Sequence, residues 1–396
     1  MVTSAETGVR ASVIRPRPWK TGIFTFAHFL NDAYPNLYPA LLPVLMVAMH
    51  FSVALAGLLS SVAALTTQLL QPVMGLWADR VGGRGFVVGG LLVGSLVSAF
   101  ALAFSPSYAV FVVALLLGGL GNAAFHPHAS ALVGDWSGER KGFAMSLFMI
   151  GGNVGRAVAP VAATTAFLLV GGRSGLWILA LPGIAMALVM TFVMRPAPAP
   201  RSRPVAIWTP EFRQGLRHAG NLLIVVMLRN LASMATMTMI PILWHTLHRP
   251  LAQSAGLLFV LFMVGSLGNM AGGAISDRIG AKPVLIGSAL LSGAFLWIFV
   301  HVSGILSWVL IGLLGASLYS TGSVVMVYGQ ALFPQNKGMA SGLTLGLGNT
   351  LGALAVGLVG IVAKFVGIVT ALDLTAFAVL LSIPFSMRLN EAGRAD

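Results

Sequence analysis

Twelve apolar runs, each long enough to cross the roughly 30 Å hydrocarbon core of a bilayer, occupy most of this 396-residue chain. They fall near 21–49, 53–77, 86–105, 108–133, 142–168, 175–194, 219–246, 252–275, 283–302, 305–331, 338–363 and 368–387. Inside hydrocarbon a segment must satisfy its own backbone hydrogen bonds, so runs of this length form helices. The chain is therefore expected to be an all-α polytopic membrane protein with twelve transmembrane helices. Charged residues make up only 8% of it and hydrophobic ones 57%, which is too little charge to keep a soluble globule of this size dispersed. The 47 glycines and 20 prolines would suggest disorder in a polar chain. In membrane helices they instead permit close approach, and neighbouring groups satisfy the broken backbone bonds. The absence of cysteine excludes disulfide and thiolate chemistry.

The polar stretches divide the chain into a tail (1–20), a six-helix bundle (21–194), a linker (195–218), a second six-helix bundle (219–388) and a short tail (389–396). The first 20 residues are basic and lack the apolar core and cleavage site of a signal peptide. The linker, "RPAPAPRSRPVAIWTPEFRQGLRH", is rich in Pro and Arg. Of the 23 lysines and arginines, Arg173, Arg249 and Lys364 lie in one set of loops, and Arg156 and Arg229 lie inside runs. All the others fall in the tails, the linker and the alternate loops, which places both termini in the cytoplasm. The net charge of +13 is thereby a matter of topology, and nucleic acid is not an expected partner.

The two halves repeat each other. "GLWADRVGGRG" after span 2 returns as "GAISDRIGAKP" after span 8, and "ERKGFAMSLFMIGGNVG" returns as "QNKGMASGLTLGLGNTL". The repeats align Asp79 with Asp277, Lys141 with Lys337, and Asn153 with Asn349. A parallel duplication of six-helix units puts the site between the halves near mid-membrane. The doubled G-x-x-x-D-R-x-G-x-[RK] pattern resembles the loop 2–3 signature of the major facilitator superfamily. It is read from Gly75, Asp79, Arg80, Gly82 and Arg84, and again from Gly273, Asp277, Arg278, Gly280 and Lys282. "HFLNDAYPNLYPALLP", "AAFHPHASAL" and "GGNVGRAVAP" further resemble the fosmidomycin-resistance subfamily of drug efflux transporters, from which His128 and Arg156 depart. The resemblance implies the two-bundle fold, alternating access, antibiotic efflux from a bacterial inner membrane, monomeric function and a cavity lined by spans 1 and 7.

Asp79 and Arg80, with Arg84 and their counterparts Asp277 and Arg278, sit where helices meet the cytoplasm. Carboxylates there can accept from helix N-termini while arginines bridge carbonyls, a gating role. Charges at this point can also simply mark the inner face, and Arg84 fits that reading well. Asp32 raises a different question. It lies about 11 residues into its run, and at about 1.5 Å per residue that is roughly 16 Å deep. A carboxylate at that depth is costly unless it faces water or a partner, so a proton or substrate role is expected. The repeat register aligns Asn31 and Asp32 with Arg229 and Asn230, and Asp32 and Arg229 are expected to face each other across the pathway. Pro35, Pro39 and Pro43 should bend the outer half of span 1.

His126 and His128 supply further titratable groups, with His126 the expected proton carrier alongside Asp32. A divalent-metal site using these histidines and Asp32 is a disfavoured alternative. Arg156, among Gly151, Gly152, Gly155 and Pro160, is expected to belong to a tightly packed helix contact. Two intramembrane arginines and two histidines against one aspartate favour an anionic substrate. Asn31, Tyr34, Tyr38, His128, Asn153, Arg229, Asn230, Tyr328 and Gln330 are candidate substrate contacts. The expected function is proton-coupled efflux of a small anionic or amphiphilic compound, without a cofactor. The alternative is anion uptake or facilitated diffusion without protons. No Ser/His/Asp grouping or H-E-x-x-H pattern supports an enzyme.

Overall fold

The computed structural model describes residues 18–137, 141–194, 210–332 and 346–389. Among them there are only helices and short turns, arranged as twelve spans. Spans 3, 4 and 5 are Arg84–Phe104, Tyr108–Trp136 and Lys141–Leu169. Spans 7, 8 and 9 are Pro210–Thr246, Leu251–Ile279 and Ala281–Val300. Spans 6, 10 and 12 run over Arg173–Val193, Ile305–Leu332 and Ile368–Met387, and span 11 over Gly348–Val366. Ten of the spans are long and apolar enough to cross a membrane by themselves. The other two are span 1, which is broken, and span 5, which carries Asn153 and Arg156. The exterior is apolar, with Phe192, Leu169, Ile305 and Phe365 largely exposed, a surface suited to lipid.

Span 1 is α-helical over Pro18–Ala33, tightens to 3-10 turns at Tyr34–Asn36 and Pro39–Leu41, and resumes over Leu42–Met49. Pro35, Pro39 and Pro43 each remove a backbone donor, one per turn, and this breaks the ladder where the sequence put it. Span 2 is interrupted too. Val53–Ala64 passes through a π turn, Leu65–Leu69, into Gln71–Val81. The helix of span 7 begins at Pro210, ahead of its membrane-crossing stretch Ala219–Thr246, which starts where the apolar run does. Pro210 is the first residue of this helix, a position that proline's fixed φ suits.

Each repeated loop turns on a glycine at positive φ, Gly82 at 96° and Gly280 at 88°. A side chain is disfavoured there, which is why the signature needs glycine at that place in both halves. Neighbouring glycines permit packing. Gly75 lies against Pro127 of span 4, and the His128 ring leaves no room for a Cβ on Gly83. Arg84 Nη2 donates to the Thr191 carbonyl at 2.8 Å, capping span 6 within the same half. Arg80, Asp277 and Arg278 are exposed. The Asp79 side chain and Lys337 lie outside the described residues.

On the face opposite these loops the two halves meet through backbone. A Cβ on Gly57 of span 2 would lie 2.8 Å from the Val356 carbonyl oxygen and 2.9 Å from Gly360 Cα of span 11. Ser61 Oγ donates to the Ala353 carbonyl at 2.7 Å and accepts from Gly357 N at 2.9 Å. Ser60 Oγ lies 2.8 Å from Thr238 Oγ1 of span 7, and the Tyr38 hydroxyl donates to Ser60 at 3.2 Å.

Candidate functional site

Asp32 sits in the last turn of the first piece of span 1, just before the proline break, and is buried. Three cationic or titratable side chains converge on its carboxylate. Arg156 Nη2 of span 5 donates to Oδ2 at 3.2 Å. His28 Nε2, one turn earlier on the same helix, is 3.5 Å from Oδ2. His126 Nε2 of span 4 is 3.0 Å from Oδ1.

The glycines of "GGNVGRAVAP" make this convergence possible. A Cβ on Gly152 would lie 2.6 Å from the His28 ring and 2.8 Å from Asp32 Oδ2, and Gly151 and Gly155 rest on the Thr25 and Phe29 backbone. Span 5 can therefore lie directly on span 1 and bring Arg156 to the carboxylate. The expected close helix contact is present, and it carries an ion pair as well.

Hydrogen bonds fix the histidine roles. His28 Nδ1 donates to the Phe148 carbonyl at 2.7 Å, with the ring stacked on Phe148 at a centroid distance of 4.0 Å. Its Nδ1 therefore holds the hydrogen and Nε2 is the atom presented to Asp32. His126 Nε2 faces two incompatible neighbours, Asp32 Oδ1 and, at 3.3 Å, the donor Asn31 Nδ2. With a hydrogen, Nε2 can serve only Asp32; without one, it can accept only from Asn31. Asp32 Oδ1 is buried and takes no aligned hydrogen bond despite the short distance to Nε2. Asn122 Nδ2 holds the Asn31 carbonyl at 3.0 Å.

Arg229 is not opposite Asp32. Its guanidinium turns into the second half and donates to Ser288 Oγ at 2.7 Å, to the Ser317 carbonyl at 3.3 Å and to the Leu318 carbonyl. Among the described residues no carboxylate lies within ion-pair distance of it, and Nη1 is buried without a partner. The expected Asp32–Arg229 pair is thus replaced by Asp32–Arg156, although the repeat register itself is obeyed. Asn31 faces span 4, and its equivalent Arg229 faces span 10. Asp32 faces span 5, and its equivalent Asn230 donates to the Asn349 carbonyl of span 11 at 2.5 Å. One residue of offset turns a side chain by about 100° around a helix.

The other candidates are dispersed. His128 packs on Gly83 at the loop, away from the cluster. The Tyr34 hydroxyl donates to the Leu179 carbonyl of span 6 at 3.0 Å, and Tyr38 belongs to the contact between halves. Asn153 and Gln330 are half-buried, and Tyr328 is buried in a small cluster with Leu222 and Val325. His28 was not among the sequence candidates, yet "HFLND" places it four residues before Asp32 on one helix face. Tyr319 was also missed. Its hydroxyl and Ser233 Oγ of span 7 are hydrogen-bond partners within the second half.

Residues 22–357 match the family model of the Major Facilitator Superfamily. An uncharacterized MFS-type transporter of Bacillus subtilis (strain 168), YfnC, is 27% identical over 93% of this chain and 93% of its own length. The fosmidomycin resistance protein of Escherichia coli (strain K12) is 28% identical over 91% of this chain and 90% of its own. The fold is similar to the crystal structure of a bacterial homolog of the human lysosomal transporter Spinster in an inward-facing and occupied conformation. That likeness has a TM-score of 0.81 at 14% identity, covering 95% of this chain and 97% of the other. A duplicated twelve-span chain with the doubled loop signature, matched by the family model over most of its length, belongs to the Major Facilitator Superfamily and is an integral membrane transporter, not an enzyme.

Proposed function

We propose that this transporter exports a small amphiphilic compound from the bacterial cytoplasm in exchange for protons, with Asp32 as the shared site. The observation that carries the reading is the contested Nε2 of His126, between an acceptor at 3.0 Å and a donor at 3.3 Å. A proton arriving at the cluster turns His126 from Asn31 to Asp32, or rests on Asp32 itself. A substrate that donates a hydrogen bond to the buried carboxylate competes with that proton, and exchange follows from the competition. The relative named as a fosmidomycin resistance protein supports efflux. The charge of the basic loops supports cytoplasmic termini. The contacts between halves described above then lie on the outer face. Monomeric function and gating at Asp79 and Asp277 belong to the same reading.

The preference for an anionic substrate weakens, because Arg229 and His128 no longer count toward the cluster. One observation still favours an anion. Arg156 is 37% exposed, so an anion can take the guanidinium from Asp32. Asp32 would then bind a proton more readily, and anion and proton would travel together. Proton movement on binding separates the two cases. Candidate compounds are added to purified protein in weakly buffered detergent solution containing a chelator. Proton release that is lost in Asp32→Asn supports exchange. Proton uptake indicates joint carriage, and binding without proton movement overturns coupling at this site.

A further inference from the structure

His28 Nε2, His126 Nε2 and a carboxylate oxygen of Asp32 all lie within 4.8 Å of one another. We infer that these three atoms form a binding site for a divalent transition-metal ion of borderline softness, of the Zn2+ class. Two imidazoles and one carboxylate are the donor set such ions take, whereas Mg2+ and Ca2+ require oxygen ligands. Metal–ligand bonds of about 2.0–2.1 Å in tetrahedral geometry put ligand atoms about 3.4 Å apart. His126 Nε2 is 3.0 Å from Asp32 Oδ1 and His28 Nε2 is 3.5 Å from Oδ2 of the same carboxylate, so a turn of the carboxylate and the rings would bring the two Nε2 atoms and Oδ1 around one ion.

Two outer contacts prepare these ligands. The Phe148 carbonyl holds the hydrogen on His28 Nδ1, leaving the Nε2 lone pair to face the site, which is how metal-ligating histidines are commonly oriented. Arg156 occupies Oδ2 of Asp32, while Oδ1 is buried with no aligned partner. That oxygen, on a residue only 6% exposed, has His126 Nε2 at 3.0 Å without an aligned hydrogen bond, the arrangement of two ligand atoms set to share an ion. The carboxylate can therefore bridge, with Oδ1 on the ion and Oδ2 on the guanidinium. Asn31 must release His126, whose ring is 21% exposed, and the fourth coordination position opens on that side. The site does not depend on the direction of transport. An ion held there would occupy the atoms assigned to the proton.

The guanidinium opposes the ion by charge, and this gives the test its sign. Metal-free protein purified with chelator is titrated with Co2+, followed by its visible absorption, and with Zn2+ in a calorimeter. One equivalent of Co2+ with the intense bands of four-coordination, displaced by Zn2+, is expected. His28→Gln and His126→Gln should each weaken binding by about tenfold or more. Arg156→Gln should retain or tighten it, whereas a site that needs the ion pair for its shape would lose it. Thermal unfolding without metal shows whether each variant is folded. The inference is overturned if wild-type protein binds no ion, binds Co2+ only in six-coordinate form, or if the folded His28→Gln/His126→Gln double variant still binds one equivalent. Proton release in chelator is measured separately, so failure of either reading is seen independently.

Discussion

Arg156→Gln removes the only arginine or lysine in contact with the Asp32 carboxylate among the described residues. At 3.2 Å and an effective dielectric constant of about 20, the attraction lost is about 5 kcal/mol. Arg156 is partly exposed, and water screens a share of that, which leaves about 2–3 kcal/mol of lost stability at pH 7. A stranded carboxylate has a second option, to take a proton. For a carboxyl with the ordinary pKa of about 3.9, that costs about 4 kcal/mol at pH 7 but only about 1.5 kcal/mol at pH 5. The loss should therefore shrink as pH falls, because the variant escapes the unpaired charge by protonation while the parent's pair stays ionised at both pH values. Adding Asp32→Asn should recover most of the stability, because no unpaired charge remains, but it should not recover coupled transport. Asp32→Asn combined with Arg229→Gln should instead be additive within about 0.5 kcal/mol, as the two groups share no partner. The assay is thermal unfolding of the singles and doubles in one detergent at pH 5 and pH 7. Additive effects for Asp32 and Arg156, or coupling between Asp32 and Arg229, would refute the pairing drawn from the structure.

Gly152→Ala places a methyl group 2.6 Å from the His28 ring. It should cost about 1–3 kcal/mol by overpacking and abolish proton release on substrate binding, although it changes no titratable group; unaltered release would show that the cluster tolerates separation of spans 1 and 5. Gly57→Val sets a side chain against the Val356 carbonyl and Gly360, so the face opposite the signature loops should open. Spin-label distances between the nearby ends of spans 2 and 11 should lengthen, and unchanged distances would remove that contact from the gate. Asp79→Asn and Asp277→Asn should loosen the loop face, the first more than the second. Spin labels across the loop-side ends of spans 2 and 11 check this, and equal populations in both variants and the parent would leave those charges a topological role only.

What the sequence made legible is what repeats or periodicity encode. The apolar runs located the spans to within a few residues, the start expected for span 11 at 338 lying outside the described residues, because bilayer thickness imposes a length on each. The proline triplet located the break in span 1, and the two signature copies predicted matching loops, which Gly82 and Gly280 form with nearly the same φ. The duplication also gave the right register for Arg229 and Asn230. It did not say where those side chains point. A repeat aligns backbone positions, but the neighbour a side chain meets depends on helix rotation and on what the adjacent span offers. Span 5 offers Arg156 to Asp32, whereas span 11 offers only a carbonyl to Asn230. The charge was thus completed within one half, by an arginine whose surrounding glycines had already marked a close helix contact. The overlooked His28 was legible in principle: a histidine four residues before a deep aspartate shares its helix face. On a face buried this deeply, the two can be kept only if they serve each other or a common ligand.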